Sequence, residues 1–249
     1  MARNWGSLLT NCNRIYGCDI MISKNQEDFT MERKVVRVLF NGDSTTDVGR
    51  ARPIGDGFGK MGDSYLANIF CMTWADHPNN NIRYFNAAVS GDTTTKLLAR
   101  FDEDVTPYKP DYVFFLIGIN DCWRRYDCPL TPSSATTPEQ YRQNMQTCID
   151  KTKAIGAIPT LISPFFFELN KQDAMRHDCD ECNDILRDLA AKNGIDFIDV
   201  QSRIDWYLEN GGNYCLLGND RVHPSAVCKS LIAQYIYNHP AFRKIFNEQ

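Results

Sequence analysis

Short apolar runs alternate along the chain with longer stretches whose apolar residues recur at helical spacing. The apolar runs are rich in β-branched and aromatic residues and predict strands at 35–40, 82–89, 112–118, 158–163 and 195–200. The stretches between them predict helices at 64–75, 93–105, 138–156, 180–194 and 224–238, the last with Pro224 in its first position. Five strands in alternation with helices favour an α/β fold, in which helices cover both faces of a parallel sheet.

Length and charge narrow the possible classes of protein. The first 33 residues are polar and irregular and are interpreted as an N-terminal arm, and residues 34–249 as one domain. A net charge of −4 gives no sign of a nucleic-acid surface. The chain has no apolar stretch long enough to cross a membrane, and its start does not resemble a signal peptide. We therefore expect a cytoplasmic protein without a membrane or nucleic-acid partner.

Two features could have indicated a metal or a nucleotide. Among ten cysteines, only Cys179 and Cys182 have motif spacing, and a second pair of ligands is missing from the sequence. The other cysteines often have apolar neighbours, as Cys71 and Cys228 do, and are expected to be small buried residues. The glycine-rich segment 55–64 has the spacing of neither a phosphate loop nor a dinucleotide fingerprint. No metal and no cofactor is expected.

The residues that follow the predicted strands carry the candidate chemistry. Ligands of open α/β sheets bind beyond the carboxyl ends of the strands. Ser44 follows the first predicted strand, Gly91 the second and Asn120 the third, while Asp220 and His223 precede the last helix. Each has an ordinary structural alternative, such as a helix cap for Ser44, a turn for Gly91 or a surface charge for Asp220.

These residue types together suit acyl transfer. A serine hydroxyl becomes a strong nucleophile when a histidine accepts its proton, and a carboxylate on the other ring nitrogen orients that histidine. Asp220 and His223, three residues apart, can provide the last two groups from one loop. The backbone N–H groups of Ser44 and Gly91 and the amide of Asn120 can bind the oxyanion that forms.

At these residues the chain resembles the SGNH (GDSL-type) hydrolases. Their four blocks correspond to "NGDSTTD", "VSGDTT", "GIND" and "DRVHPS", in order, between residues 41 and 225. The resemblance implies a three-layer α/β/α sandwich, flavodoxin-like, with a five-stranded parallel sheet. It also implies that Ser44 is the nucleophile, that Asp220 and His223 complete the triad, and that Ser44, Gly91 and Asn120 form the oxyanion hole.

Over residues 35 to 238, the chain more specifically resembles the intracellular acetylxylan esterases of this superfamily. It rests on segments such as "GDSTTDVGRARPIGDG" and "FDEDVTPYKPDYVFFLIGINDCWRRYD". It implies a serine esterase that removes acetyl groups from small sugars, acetylated xylo-oligosaccharides above all. The aromatic residues of the N-terminal arm, Trp5, Tyr16 and Phe29, could pack against the domain itself or against a second subunit, so a homo-oligomer is a further expectation. The chain departs from those relatives at Asn219, where they often carry tryptophan, and in its longer N-terminal arm.

Other functions stay open at this stage. Lysophospholipases and thioesterases share the same four blocks, and a non-catalytic α/β binding module could share the fold. Phe165 to Phe167 could form the wall of an acyl groove, or simply pack in the core. Trp123 could stack against a sugar ring, or be an ordinary partly buried tryptophan.

Overall fold

The computed structural model describes residues 34–127 and 135–248. The strands in this part of the chain are β1 (Val36–Gly42), β2 (Gly55–Asp56), β3 (Ile82–Asn86), β4 (Tyr112–Leu116), β5 (Ile158–Ile162) and β6 (Asp196–Ile198). They form one sheet in the order β2-β3-β1-β4-β5-β6. All neighbours pair in parallel except β2, a two-residue strand that is antiparallel to β3. The α/β fold with five parallel strands is confirmed, and β2 is an addition at its edge.

Helices cover both faces of this sheet. The α-helices of the described residues are α1 (Ser44–Asp47), α2 (Tyr65–Asp76), α3 (Thr94–Ala99), α4 (Phe101–Asp104), α5 (Ile119–Asp127), α6 (Pro138–Ala154), α7 (Ala174–Asn193), α8 (Val200–Glu209), α9 (Ala226–Asn238) and α10 (Pro240–Arg243). Short 3-10 turns occupy Thr106–Tyr108, Tyr214–Leu216 and Lys244–Glu248.

Successive residues of the central strand β1 point into two separate cores, as the period of a strand requires. Val38 and Phe40 pack with α2, α8, α9 and α10 on one face. Leu39 packs on the other face with α3, α4, α6 and α7. The two cores confirm the three-layer arrangement, and the sheet between them is buried on both sides.

Several helix boundaries differ from the predictions; α7, for example, begins at Ala174 and not at residue 180. The stretch 93–105 is not one helix, because the backbone bends at Arg100 and separates α3 from α4. The guanidinium of Arg100 donates to Asp92 (2.6 Å) and to the carbonyl of Ala87 (2.7 Å), which places it under the end of β3. Pro224 does not begin α9, since Ser225 is the N-cap and accepts a hydrogen bond from the N–H of Cys228.

Within the described residues, no helix is long and apolar enough to cross a membrane. The predicted N-terminal arm, residues 1–33, lies outside the described residues.

Candidate active site

The nucleophile candidate lies where β1 meets α1. Gly42 ends β1, and Ser44 is the first residue of α1. The N-cap is Asp43, whose side chain accepts a hydrogen bond from the N–H of Thr45 at 3.0 Å. The alternative in which Ser44 caps this helix is therefore wrong: Asp43 is the cap, and the Ser44 hydroxyl is turned toward another residue.

That residue is His223. Ser44 Oγ lies 3.1 Å from His223 Nε2, and His223 Nδ1 lies 2.8 Å from Asp220 Oδ2. Both distances are within hydrogen-bonding range. The three side chains thus form a continuous chain from a hydroxyl through an imidazole to a carboxylate, although 179 positions in the sequence separate Ser44 from His223.

The backbone of the loop holds Asp220 in place. Its second oxygen, Oδ1, accepts from the N–H of Val222 (2.9 Å) and from the N–H of His223 (2.6 Å). Partial burial alone would raise the pKa of Asp220, but these bonds and the His223 ring outweigh it and lower that pKa below its usual value. The carboxylate is therefore ionised when it faces the imidazole.

Gly91 follows β3 and is positioned by α1. The residue before it, Ser90, donates from its N–H and its hydroxyl to Asp47 Oδ2, both at 2.8 Å. Gly91 has a φ of +80°, and a Cβ at this position would meet no atom within 4 Å. The left-handed backbone, rather than crowding, is the reason for glycine here.

Asn120 lies in the first turn of α5 and is 1% exposed. Its Nδ2 donates to the carbonyl of Asp92 at 3.0 Å, and its Oδ1 accepts from Arg124 at 3.1 Å. The neighbouring Asp121 accepts from the N–H and the hydroxyl of Thr94 (2.6 Å to the hydroxyl). These contacts join the segment after β3 to the first turn of α5, so that Asn120 and Asp92, the residue after Gly91, belong to the same network.

Two carboxyl groups are buried under the site. Burial raises the pKa of Asp43 to about 7, although the hydrogen bond from Thr45 opposes the shift, and its Oδ2 has no hydrogen-bond partner. Burial also raises the pKa of Asp121 to about 6, against the opposing bonds from Thr94. The sequence blocks contain both residues, but their burial and the shifts that follow from it are visible only in the structure.

Trp123 lies beside the site. Its indole meets the ring of His223 edge-on at a centroid distance of 5.7 Å, and the guanidinium of Arg124 lies 5.3 Å from the indole centroid. The indole is partly buried against a small apolar cluster. Its assignment to sugar binding stays a prediction.

The structure also places the aromatic run at residues 165–167 and the cysteines discussed above. Phe165, Phe166 and Phe167 are at most 2% exposed, which confirms core packing for this run. Cys71 is exposed, so the expectation that it is buried is wrong, because it lies on the outer side of α2. Cys179 and Cys182 lie inside α7, and both are buried.

Comparison with known proteins places this geometry in a family. Residues 40–227 match the family described as GDSL-like Lipase/Acylhydrolase. An acetylxylan esterase of Geobacillus stearothermophilus is 37% identical over 199 residues, which are 80% of this chain and 90% of that protein.

Solved structures give the same result. The crystal structure of Axe2, an acetylxylan esterase from Geobacillus stearothermophilus, matches with a TM-score of 0.78 and 35% identity, covering 86% of this chain and 95% of Axe2. LAE5, an alpha/beta hydrolase from the metagenome of Lake Arreo in Spain, matches with a TM-score of 0.77 and 34% identity, over 85% of this chain and 95% of LAE5. The chain is thus a carboxylic ester hydrolase that belongs to the GDSL-like lipase/acylhydrolase family.

Proposed function

We propose that this protein removes O-acetyl groups from carbohydrates, acetylated xylo-oligosaccharides in the first place, through an acyl-enzyme on Ser44. The observation that carries the proposal is the hydrogen-bonded chain from Ser44 through His223 to Asp220. A non-catalytic binding module has no need of this geometry, which is the arrangement that activates a serine hydroxyl.

In acylation, His223 Nε2 accepts the proton of the Ser44 hydroxyl while Oγ attacks the carbonyl carbon of the acetyl ester. The imidazolium that forms is stabilised by the carboxylate of Asp220, which is ionised because its pKa is lowered. His223 then donates its proton to the sugar oxygen as the bond between that oxygen and the carbonyl carbon breaks. The deacetylated sugar leaves, and the acetyl group stays on Ser44.

Deacylation repeats these steps with water. His223 accepts a proton from water, the resulting hydroxide attacks the acetyl carbonyl, and the histidine returns the proton to Ser44 Oγ. Acetic acid leaves and loses its proton to the solvent, and the enzyme is restored without a cofactor.

Three N–H donors are assigned to the oxyanion of both tetrahedral intermediates: the backbone N–H of Ser44, the backbone N–H of Gly91 and the amide of Asn120. The N–H of Ser44 belongs to the first residue of α1, and a helix does not use the N–H groups of its first turn. Asn120 has two amide hydrogens, of which the carbonyl of Asp92 takes one. The other is available for the oxyanion.

The choice of an acetylated sugar as substrate rests on the relatives. Matched structures include catalytic mutants of Axe2 in which a serine, an aspartate or a histidine is replaced by alanine. The replaced aspartate and histidine are three positions apart in that chain, as Asp220 and His223 are here. This agreement in residue types and spacing supports the same reaction class and the same kind of ester.

The test is release of acetate from acetylated xylo-oligosaccharides, compared with other acetylated sugars and with an acyl-CoA thioester. We expect the highest kcat/KM on the xylo-oligosaccharides and none above background with Ser44→Ala. Preference for the thioester would contradict the carbohydrate assignment. A cytoplasmic location and a homo-oligomeric state stay predictions from the sequence, which cell fractionation and light scattering can check.

A further inference from the structure

Arg124 contacts Asn120, the residue whose side-chain amide is the proposed donor to the oxyanion. One of its terminal nitrogens donates to Asn120 Oδ1 at 3.1 Å. Arg124 follows Asn120 by four positions in α5, the spacing that places two side chains next to each other on a helix. The contact is therefore built into a single turn of the same helix.

The amide of Asn120 has two possible orientations, and they differ in their effect on an oxyanion. With Nδ2 toward the site the amide donates a hydrogen bond, whereas with Oδ1 toward the site it presents a partial negative charge. A guanidinium has only donors, so Arg124 can pair only with Oδ1. The carbonyl of Asp92 has only acceptors, so it can pair only with Nδ2. Both contacts therefore favour the same orientation of the Asn120 amide, with Oδ1 toward Arg124 and Nδ2 toward the carbonyl of Asp92.

Arg124 is itself held in place. Asp127, three positions further along α5, forms a salt bridge with it, and the face of Trp123 lies 5.3 Å from its guanidinium carbon. The side chain of Arg124 is 28% exposed and that of Asp127 is 24% exposed. Because solvent reaches this pair only in part, the cation keeps a larger effect on Asn120 than a surface arginine would have.

We propose that Arg124 is a positioning residue for the oxyanion hole: it fixes the amide of Asn120 with Nδ2 toward the site and strengthens that amide as a donor. This inference rests on the proposed function, since it assigns Arg124 a role in the same reaction. A cation at Oδ1 draws electron density from the amide, which makes the remaining N–H a better donor to a developing negative charge.

The first measurement is the steady-state hydrolysis of p-nitrophenyl acetate by Arg124→Met. Loss of an oxyanion donor typically lowers kcat by about 100- to 1000-fold, and a misoriented donor retains part of its effect. We expect kcat to fall by about 10- to 30-fold with KM changed by less than about threefold. A raised KM with an unchanged kcat would assign Arg124 to substrate binding and would overturn the proposal.

Arg125→Met is the matched control. Arg125 is the next residue of α5, has similar exposure, and pairs with Asp178 (2.8 Å) and with the carbonyl of Thr136 (2.9 Å) instead of Asn120. Both substitutions remove one partly buried ion pair, so similar falls in melting temperature are expected. Only Arg124→Met should lower kcat. An equal fall in the kcat of Arg125→Met would mean that the effect comes from a general loss of stability in α5, and would overturn the proposal.

The decisive readout is a double-mutant cycle with Asn120→Ala. If Arg124 acts through Asn120, Arg124→Met should change kcat by less than about twofold in the Asn120→Ala background. Equal factors in both backgrounds would overturn the proposal, because they would mean that Arg124 acts independently of that amide. Asp127→Asn, which loosens Arg124 without removing it, should show the same dependence on Asn120 and serves if Arg124→Met does not fold.

These outcomes are separate from failure of the proposed function. A folded wild-type protein that did not hydrolyse p-nitrophenyl acetate would refute the esterase assignment itself. An active wild type with additive substitutions would refute only the role of Arg124.

Discussion

The indole of Trp123 meets the imidazole of His223 edge-on, with 5.7 Å between ring centroids and an interplanar angle of 67°. The contact fixes one side of a ring whose other partners are Ser44 and Asp220. An edge-to-face aromatic pair contributes about 0.5–1.5 kcal/mol beyond simple burial. Trp123 therefore helps to hold His223 in the orientation that reaches Ser44.

This contact predicts how Trp123 substitutions divide between kcat and KM. Trp123→Ala should lower kcat by about tenfold on p-nitrophenyl acetate, because the imidazole loses its packing partner. Trp123→Phe keeps an aromatic edge and should retain most of the activity. Steady-state kinetics on p-nitrophenyl acetate and on an acetylated xylo-oligosaccharide check both variants. If KM rose for the oligosaccharide alone, with kcat unchanged on both, Trp123 would be a sugar platform as its position after "GIND" first suggests.

Triad substitutions should separate the three roles. Ser44→Ala and His223→Ala should each lower kcat by about four to six orders of magnitude. Asp220→Asn should retain more than either, because its Oδ1 can still accept from the N–H groups of Val222 and His223 and keep the loop in shape. Circular dichroism on each variant confirms folding. Substantial turnover by folded Ser44→Ala would remove Ser44 from the role of nucleophile.

Asp43 should make the protein less stable as the pH rises. Its pKa is about 7 in the folded state against an ordinary value of 3.8, so between these pH values the folded protein holds a proton that the unfolded chain has released. Stability is greatest below the lower value and falls as the pH rises through the higher one. A pKa shift of this size corresponds to about 4 kcal/mol in the free energy of unfolding.

Urea unfolding of the wild type and of Asp43→Asn at pH 4, 5, 6, 7 and 8 measures this effect. Asparagine can still cap α1 through the bond to Thr45 and carries no charge at any pH. We expect the variant to gain on the wild type from pH 4 to about pH 7 and the difference to level off above that. Asp121 lies close enough to raise the pKa of Asp43, so the difference reports Asp43 together with its interaction with Asp121. Parallel stability curves would mean that Asp43 is not a buried titrating group.

The sequence predicts the central features of the site because of one topological rule. Parallel strands end at the same edge of a sheet, so residues that follow β1, β3 and β4 must come together once the strands are recognised. Apolar runs identify those strands well, since a sheet buried on both faces needs continuous apolar segments. Ser44, Gly91 and Asn120 could therefore be placed at one edge without coordinates.

What the sequence does not predict depends on side chains that satisfy one another across the chain. The two-residue strand β2 has too few apolar positions to form a recognisable pattern. At the break between α3 and α4, the guanidinium of Arg100 bonds to Asp92 and to the carbonyl of Ala87, contacts that have no local sequence signal. The bond from Arg124 to Asn120 has the spacing of a helical pair, but that spacing is too common to identify a contact by itself.

The preferred acyl group can also be tested directly. Each added methylene would favour binding by about 0.8 kcal/mol if it found apolar room, whereas crowding in a closed pocket would cost about 1–3 kcal/mol. The aromatic run Phe165 to Phe167 could have formed an acyl groove, but all three rings are at most 2% exposed and pack in the core. An acyl chain therefore gains no contact with them.

We accordingly expect kcat/KM to be similar for acetyl and propionyl esters and to fall steeply at butyryl and octanoyl. The measurement is a series of p-nitrophenyl esters at one pH, with Ser44→Ala subtracted as background. Because the leaving group is constant, the series reports only the space beside Ser44. A rise toward octanoyl would favour a lipid substrate and contradict carbohydrate deacetylation, while the geometry of Ser44, His223 and Asp220 would still account for the hydrolysis.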